Sequence, residues 1–436
     1  MKLKISRILH AGYIFECDQT QIAFDPIFEN PFSHNCYAFP EVEFDLEKIK
    51  KLKLDAVFIS HFHDDHCSME SLVHLDRQTP IYMYCVHSEM FELIKRLGFA
   101  HVHSLKLNQS IQVNTIEVIP RRALDVDVDS LFQIKAAGLN VLNVVDSWID
   151  DDTLDLLVQE GPWDMVLWPF QTMREIEVIA PSQVLEAPTH LPPEWILQLK
   201  KLNPRYVVPS SCQFKQESWS WYNQALFPVT YKQFENEVVA ALPQIQVQRL
   251  NPSVSIELNS SLLNPSSALS WMRPTGEQDV DYEYQFDIKV PTTSEIAQRF
   301  PALTEIQTEK VFNYCRQGLL EKFRFMDPPQ DKYFAQPRNW KLSVYDHTGK
   351  AMILYYHLDG NKIEILNNEP LNLSWMTEVP LSKLYAGLEL GESLTSMYLR
   401  INAVSDVDIV EDPLIRCLFN GVFGAYQKAQ LKRLGL

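Results

Sequence analysis

The chain has 436 residues, 46% of them hydrophobic, and 39 basic against 56 acidic side chains give a formal net charge of −17. That length exceeds what one hydrophobic core usually organises, so more than one domain is expected. The acidic balance works against roles on nucleic acid or an anionic bilayer surface, and no apolar run is long enough to span a membrane.

From the N-terminus, residues 2–5, 13–17 and 21–24 read as a small antiparallel meander around the turn His10-Ala11-Gly12, ending at Asp25-Pro26. No signal-peptide core precedes it, and seven scattered cysteines, an odd number, predict a reducing cytoplasm rather than a disulfide framework. Residues 29–44 are irregular and rich in aromatics and proline, which suits either a substrate lid or a packed surface loop. After a helix over 46–52, the apolar run 56–59 reads as a buried strand. It runs into His61-Phe62-His63-Asp64-Asp65-His66, and a helix with Ser68 as its N-cap follows. Imidazole and carboxylate are the ligands that Zn, Fe or Mn take from a protein. A rigid strand end followed by a turn can aim several of them at one point; a solvated histidine cluster without metal is the plainer alternative.

The spacing His61-x-His63-x-Asp65-His66 resembles the first motif of the metallo-β-lactamase superfamily. The resemblance implies an α+β fold, with a metallo-β-lactamase-like αββα sandwich over residues 1–250. The order of strands, His-Ala-Gly turn and Asp-Pro is similar to the branch that includes ascorbate-6-phosphate lactonase and N-acylphosphatidylethanolamine phospholipase D. On that likeness His10 lies beneath the metal site as a supporting group; a hydrogen-bonded turn residue is the alternative, and Asp25 is equally well structural.

Beyond the motif, 81–86 reads as a strand and 89–97 as a helix. Cys85-Val86-His87 looks like half of a Rieske site, but no later Cys-x-x-His completes it. His101 and His103 fall on a polar segment and read as surface or edge residues. After a strand over 111–119 come Arg121-Arg122 and then Asp125, Asp127 and Asp129, where the superfamily usually has a metal-binding His. One of these aspartates replaces it in a more oxygen-rich site suited to Fe or Mn, or the run is a solvated acidic loop. Arg121 and Arg122 offer a bidentate grip on an anionic substrate group, or form a surface pair. A hairpin over 131–134 and 139–145 ends at Asp146, to which the resemblance assigns a metal-bridging role; a helix N-cap is the plain reading. Residues 163–168 form a buried strand, and Pro169 to Thr172-Met173 resembles a site-lining stretch of the lactonase branch. Helices are expected over 181–187 and 193–202, with His190 between them. The strand 206–209 reads as the last of the domain. It ends at Ser210-Ser211-Cys212, where the branch has a metal-binding His; Cys212 is a soft substitute or a packed small hydrophobe. These departures, with Asn143-Val144-Val145-Asp146, are similar to the lactamase-like part of CMP-N-acetylneuraminate hydroxylase, whose Rieske domain is missing here.

Residues 216–226 carry three aromatics, and a helix and a strand follow over 228–250. Residues 251–276, rich in Ser, Asn and Pro, read as a linker to a second, smaller α+β domain over 277–436. There, helices over 292–300 and 304–325, a meander over 340–345, 351–358 and 362–366, and helices over 381–387 and 414–434 faintly resemble sterol-carrier-type domains. A lid or a homo-oligomer contact is the alternative role, and His347 and His357 read as structural.

The functional expectation is one or two divalent ions, Zn or Fe/Mn, held by His61, His63, Asp65, His66 and Asp146, with Asp65 and Asp146 also catalytic. The resemblance then implies a metal-dependent hydrolase of a small phosphorylated or carboxylated anion, acting through a metal-activated water. Two alternatives stay open: an iron-dependent oxygenase that needs a separate electron donor, and a non-catalytic binding protein with a degenerate metal site.

Overall fold

The computed structural model describes residues 2–170, 173–183, 187–402 and 407–436. The chain divides into two units, the first formed by Met1–Met173, Pro188–Tyr284 and Gln430–Leu436, the second by Arg174–Ala187 and Gln285–Ala429.

Two large sheets form the body of the first unit. In one, the antiparallel strands Leu3–Arg7, Tyr13–Cys17 and Thr20–Phe24 are continued in parallel by Ala56–Ile59, Ile81–Met83 and Val102–Ser104. In the other, Ile111–Val113, Ile116–Arg122, Ser130–Ala136 and Leu139–Asn143 are antiparallel, and Met165–Pro169, Tyr206–Ser210 and Gln246–Val247 are added in parallel. Alternate side chains of both sheets meet in a single core, Ile5, Phe15, Phe24 and Phe58 from one and Val118, Phe132, Ile134 and Val141 from the other. The Phe24 and Phe132 rings cross between them with centroids 4.9 Å apart. Helices Ser88–Arg96, Asp151–Gln159 and Pro193–Leu202 each bury one stripe, Leu93 and Ile94, Leu154 and Leu157, Trp195 and Leu199. The result is the expected αββα sandwich of the α+β class.

Residues 251–276, expected as a linker, instead extend the first sheet. Ser255–Leu258 pairs antiparallel with the first strand, and Leu263–Ser266 pairs with Ser255–Leu258. The polar composition hid a period-2 signal, Ile256 and Leu258, both buried, with the half-buried Glu257 between them on the other face. The strand 206–209 is therefore not the last of its unit. Residues 111–119 are not one strand either: Asn114, at φ 48°, turns the chain back between Ile111–Val113 and Ile116–Arg122. The C-terminus also belongs to the first unit. Gln430 donates from Nε2 to Ser68 Oγ and accepts at Oε1 from Met69 N, both at 2.7 Å.

The second unit holds a sheet in the order Lys362–Leu366, Ala351–Asp359, Arg338–Tyr345, Trp375–Pro380, Arg400–Ile401. Its first three strands are the expected meander. Trp375–Pro380, which the sequence reading missed, runs parallel to Arg338–Tyr345. The helix expected over 304–325 is interrupted by a π-helical turn at Tyr314–Gly318. The one expected over 414–434 splits into Pro413–Phe419 and Ala425–Arg433, with Gly421 and Gly424 in left-handed conformations between them. Of the helix expected over 181–187 only a 3₁₀ turn, Pro181–Gln183, lies within the described residues before Ala187. No helix of the described residues is long and apolar enough to cross a membrane.

Candidate metal centre

The strand Ala56–Ile59 is buried along its whole length and delivers the histidine motif at its end. Asp25, which follows the neighbouring strand, fixes the first side chains of that turn. It is buried and accepts from Ser60 N at 2.8 Å, Ser60 Oγ at 2.7 Å and His66 Nδ1 at 2.9 Å. Gly12 lets the backbone at Asp25 approach, since a Cβ there would lie 2.7 Å from the Asp25 carbonyl oxygen. Asp25 holds the Nδ1 proton, so when the His66 ring is neutral its lone pair is at Nε2. That atom lies 3.1 Å from Asp146 Oδ2 and 3.7 Å from Asp65 Oδ1.

His10 enters the same space from the turn after the first strand, at φ 47°. Its Nδ1 accepts the Cys212 amide at 3.0 Å, so the neutral ring carries its proton on Nε2. Nε2 lies 3.1 Å from Asp65 Oδ2 and 3.5 Å from Asp146 Oδ2. One ligand atom from each of His10, Asp65, His66 and Asp146 lies within 4.8 Å of all the others. By this tautomer logic His66 offers a lone pair, whereas His10 offers an N–H that orients the carboxylates.

His61 and His63 form an adjoining pair, with His61 Nε2 3.0 Å from His63 Nδ1. His61 Nδ1 is 2.9 Å from Ser60 Oγ and 3.6 Å from Asp129 Oδ1. The acidic run before Asp129 is not extended, because Asp129 N donates back to Asp125 O at 2.8 Å. This turn leaves Asp125 and Asp127 exposed and brings Asp129 alone toward the histidines, where Ser147 Oγ donates to its Oδ2 at 2.8 Å. Asp146 is delivered by Val145 at φ 64°, a left-handed conformation that a β-branched residue adopts only under constraint. Ser211 and Cys212 are left-handed as well.

Electrostatics couple these groups. Burial and the neighbouring His66 and His63 rings keep the His61 pKa well below its usual value. Burial works to lower His66, but the Asp146 and Asp65 charges outweigh it and lift His66 well above the ordinary range. Burial works to raise Asp146, but His66 and the hydrogen bond from His10 outweigh it and hold Asp146 well below. Asp129 is pushed up to about 6 by burial and by the Asp146 charge. Asp146 Oδ1 and Asp129 Oδ1 are buried with no hydrogen-bond partner. Buried carboxylate oxygens without a donor are costly, and a divalent cation satisfies such a set of carboxylates and imidazole lone pairs. The residues present therefore fit a divalent ion.

The other expected site residues lie elsewhere. A cavity of about 280 Å³ opens beside the cluster, lined by His10, Asp65 and Asp146 together with Trp148, Trp195 and Phe214, among others. Arg121 and Arg122 are not among its lining residues. Arg121 is buried, donating from Nη1 to Asn108 Oδ1 at 2.8 Å and pairing with Glu160 at 3.1 Å, while Arg122 Nε pairs with Asp150 at 3.2 Å. Both guanidiniums have protein partners, which corrects the expectation that they grip a substrate anion. Residues 29–44 are tied down by strand pairings of Tyr37–Ala38 with Phe214–Lys215 and of Val42–Phe44 with Met272–Pro274. The Cys212 thiol is buried, which raises its pKa to about 12, and the Cys212 amide donates to His10. His101 and His103 are exposed on the edge strand, His103 stacked on Tyr82. His190 pairs with Glu237 and His357 contacts Asn339. Pro169 and Met173 border the cavity; Gln171 and Thr172 lie outside the described residues. The aromatic lining was missed because Trp148, Trp195 and Phe214 carry no spacing that separates them from ordinary core.

The family model for a beta-lactamase superfamily domain matches residues 4–211. No curated protein matches the chain. Among solved structures, Igni18, a metallo hydrolase from Ignicoccus hospitalis, is 17% identical, with 59% of this chain and 99% of that one covered and a TM-score of 0.42. CmlA, a diiron beta-hydroxylase from Streptomyces venezuelae, is 15% identical over 59% of this chain and 54% of that one, TM-score 0.40. An isothiocyanate hydrolase from Delia radicum gut bacteria is 14% identical over 59% and 100%, TM-score 0.41.

Proposed function

We propose that this chain, whose residues 4–211 match the family model for a beta-lactamase superfamily domain, is a metal-dependent hydrolase of a small molecule. The observation that carries the reading is the convergence of His10, Asp65, His66 and Asp146 within 4.8 Å, with Asp146 Oδ1 and Asp129 Oδ1 buried and unpartnered. His66 Nε2, Asp65 and Asp146 would hold a divalent ion, and His61, His63 and Asp129 are the groups that would hold a second. Divalent ions there supply Lewis acidity and make water acidic enough to be a nucleophile near neutral pH. The chain's own groups set the geometry. Asp25 fixes the His66 tautomer, and His10 steadies Asp65 through its Nε2–H. Asp65 would take a proton from water entering the cavity, and the Val145 turn delivers Asp146 to His66 and His10.

A second reading is an iron-dependent oxygenase with a separate electron donor. Asp129 favours it: a carboxylate where the family usually has imidazole makes the donor set richer in oxygen and better suited to Fe or Mn. Metal analysis of protein purified without added metal, with a screen of ester, lactone, amide and phosphoester turnover, tests both readings. Bound zinc or manganese with hydrolysis that His66→Ala abolishes supports the first. Stoichiometric iron with a visible absorption band and no hydrolysis supports the second. Protein that takes up no metal overturns both.

A further inference from the structure

The cavity beside the centre is lined by two dissimilar sets of side chains. One is the charged set of His10, Asp65 and Asp146. The other is Trp148, Trp195, Met173 and Phe214. Trp195 is 1% exposed and Phe214 5%, so they form a fixed surface, and the Trp148 and Trp195 rings lie 5.2 Å apart at 53°. Among the described residues lining the cavity there is no Lys or Arg. A carboxylate or phosphate on the far part of a ligand would be buried against the second set without a counter-charge, which the desolvation cost opposes. A flat apolar group instead meets two indoles, a phenyl ring and a polarisable thioether, surfaces that favour aromatic contact. The volume, about 280 Å³, is at the small end of ligand cavities, which run from about 300 to 1,000 Å³. It holds a group of about one ring's size beside the reacting atoms.

We infer that this cavity is an aryl subsite: the substrate is a small molecule whose hydrolysable group is attached directly to an uncharged, flat, apolar ring. The inference rests on the metal-dependent reading above, and it replaces a remote anion with an uncharged ring as the feature that is recognised.

Hydroxamates test it, because their chelating end reports the metal and their substituent reports the cavity. Binding of acetohydroxamate, benzohydroxamate and 4-carboxybenzohydroxamate to the metal-loaded full-length protein is measured by calorimetry. Benzohydroxamate is expected to bind roughly tenfold or more tighter than acetohydroxamate, and the 4-carboxy compound more weakly than benzohydroxamate. Trp148→Ala should shrink the benzo-to-aceto ratio to about twofold, and Met173→Ala, a smaller change in the same set, should reduce it as well. Equal affinities for the first two compounds, or tighter binding of the carboxylate, overturn the aryl subsite and leave the metal reading standing. No binding of any hydroxamate to protein that demonstrably carries metal overturns the reading beneath it.

Discussion

Asp25 holds three donors at once, the amide and hydroxyl of Ser60 and Nδ1 of His66, on a carboxylate that is 1% exposed. Replacing it by Asn puts an N–H against the His66 Nδ1 proton, so the ring must change tautomer or turn, and Nε2 no longer presents its lone pair to Asp146. Asp25→Asn is therefore expected to weaken metal affinity by about 10- to 100-fold in a chelator-competition titration. Affinity equal to wild type would mean that His66 is oriented by something other than Asp25. At this scale the sequence was legible where spacing carries chemistry. The turn after the strand Ala56–Ile59 brings Asp65 and His66 together with Asp146, which follows a strand that the apolar pattern marks. The contribution of His10 was not legible. It depends on the Cys212 amide, 202 positions away, holding Nδ1 and turning the N–H toward the carboxylates.

Elements reach the centre through a buried cation. Arg7, 0% exposed at the end of the first strand, donates to the His10 carbonyl, to the Tyr13 hydroxyl and, at 3.2 Å, to the Pro209 carbonyl. Tyr13 in turn lies 2.9 Å from Ser210 Oγ. One guanidinium thus joins the His10 turn to the strand that ends in Ser211 and Cys212, both left-handed. Arg7→Met keeps much of the volume and leaves two buried carbonyls without a donor. Each is expected to cost about 1–3 kcal/mol, read as a lowered urea midpoint at unchanged slope. A loss under about 1 kcal/mol in total would show that water takes over these bonds. Arginine in an edge-like strand reads from sequence as a solvent-facing side chain, so this tie escaped the pattern. The same blindness made residues 251–276 a linker: Ile256 and Leu258 are strand residues only because the first strand offers them an antiparallel partner.

At the scale of the whole chain, acid stability carries a mark of the second unit. Asp412 caps the helix Pro413–Phe419, accepting from Leu414 N at 2.8 Å and Ile415 N at 3.0 Å at one oxygen and from Trp375 Nε1 at 2.7 Å at the other. Burial raises its pKa despite these bonds. The folded state then holds a proton that the unfolded chain, with a carboxyl near about 3.9, has already released. Stability contributed by this group falls as pH rises from roughly 4 to the folded pKa, and stays at its lower level above it. Asp412→Asn removes that slope. The difference between the urea midpoints of wild type and Asp412→Asn, followed from about pH 4 to 7, should change in the variant's favour as pH rises; a constant difference would show that Asp412 is ionised throughout.

The sequence by itself determined the sandwich and the strand-end turn at which Asp65 and His66 enter the candidate centre. Period-2 burial and the His-x-His-x-Asp-His spacing are local properties that survive without knowing what lies across the core. Only the tertiary structure decided which aspartate of the acidic run turns inward, what Arg121 and Arg122 pair with, and which aromatics wall the cavity. Those outcomes depend on neighbours brought together from distant segments, and a side chain's burial and partner, rather than its identity, fix what it does.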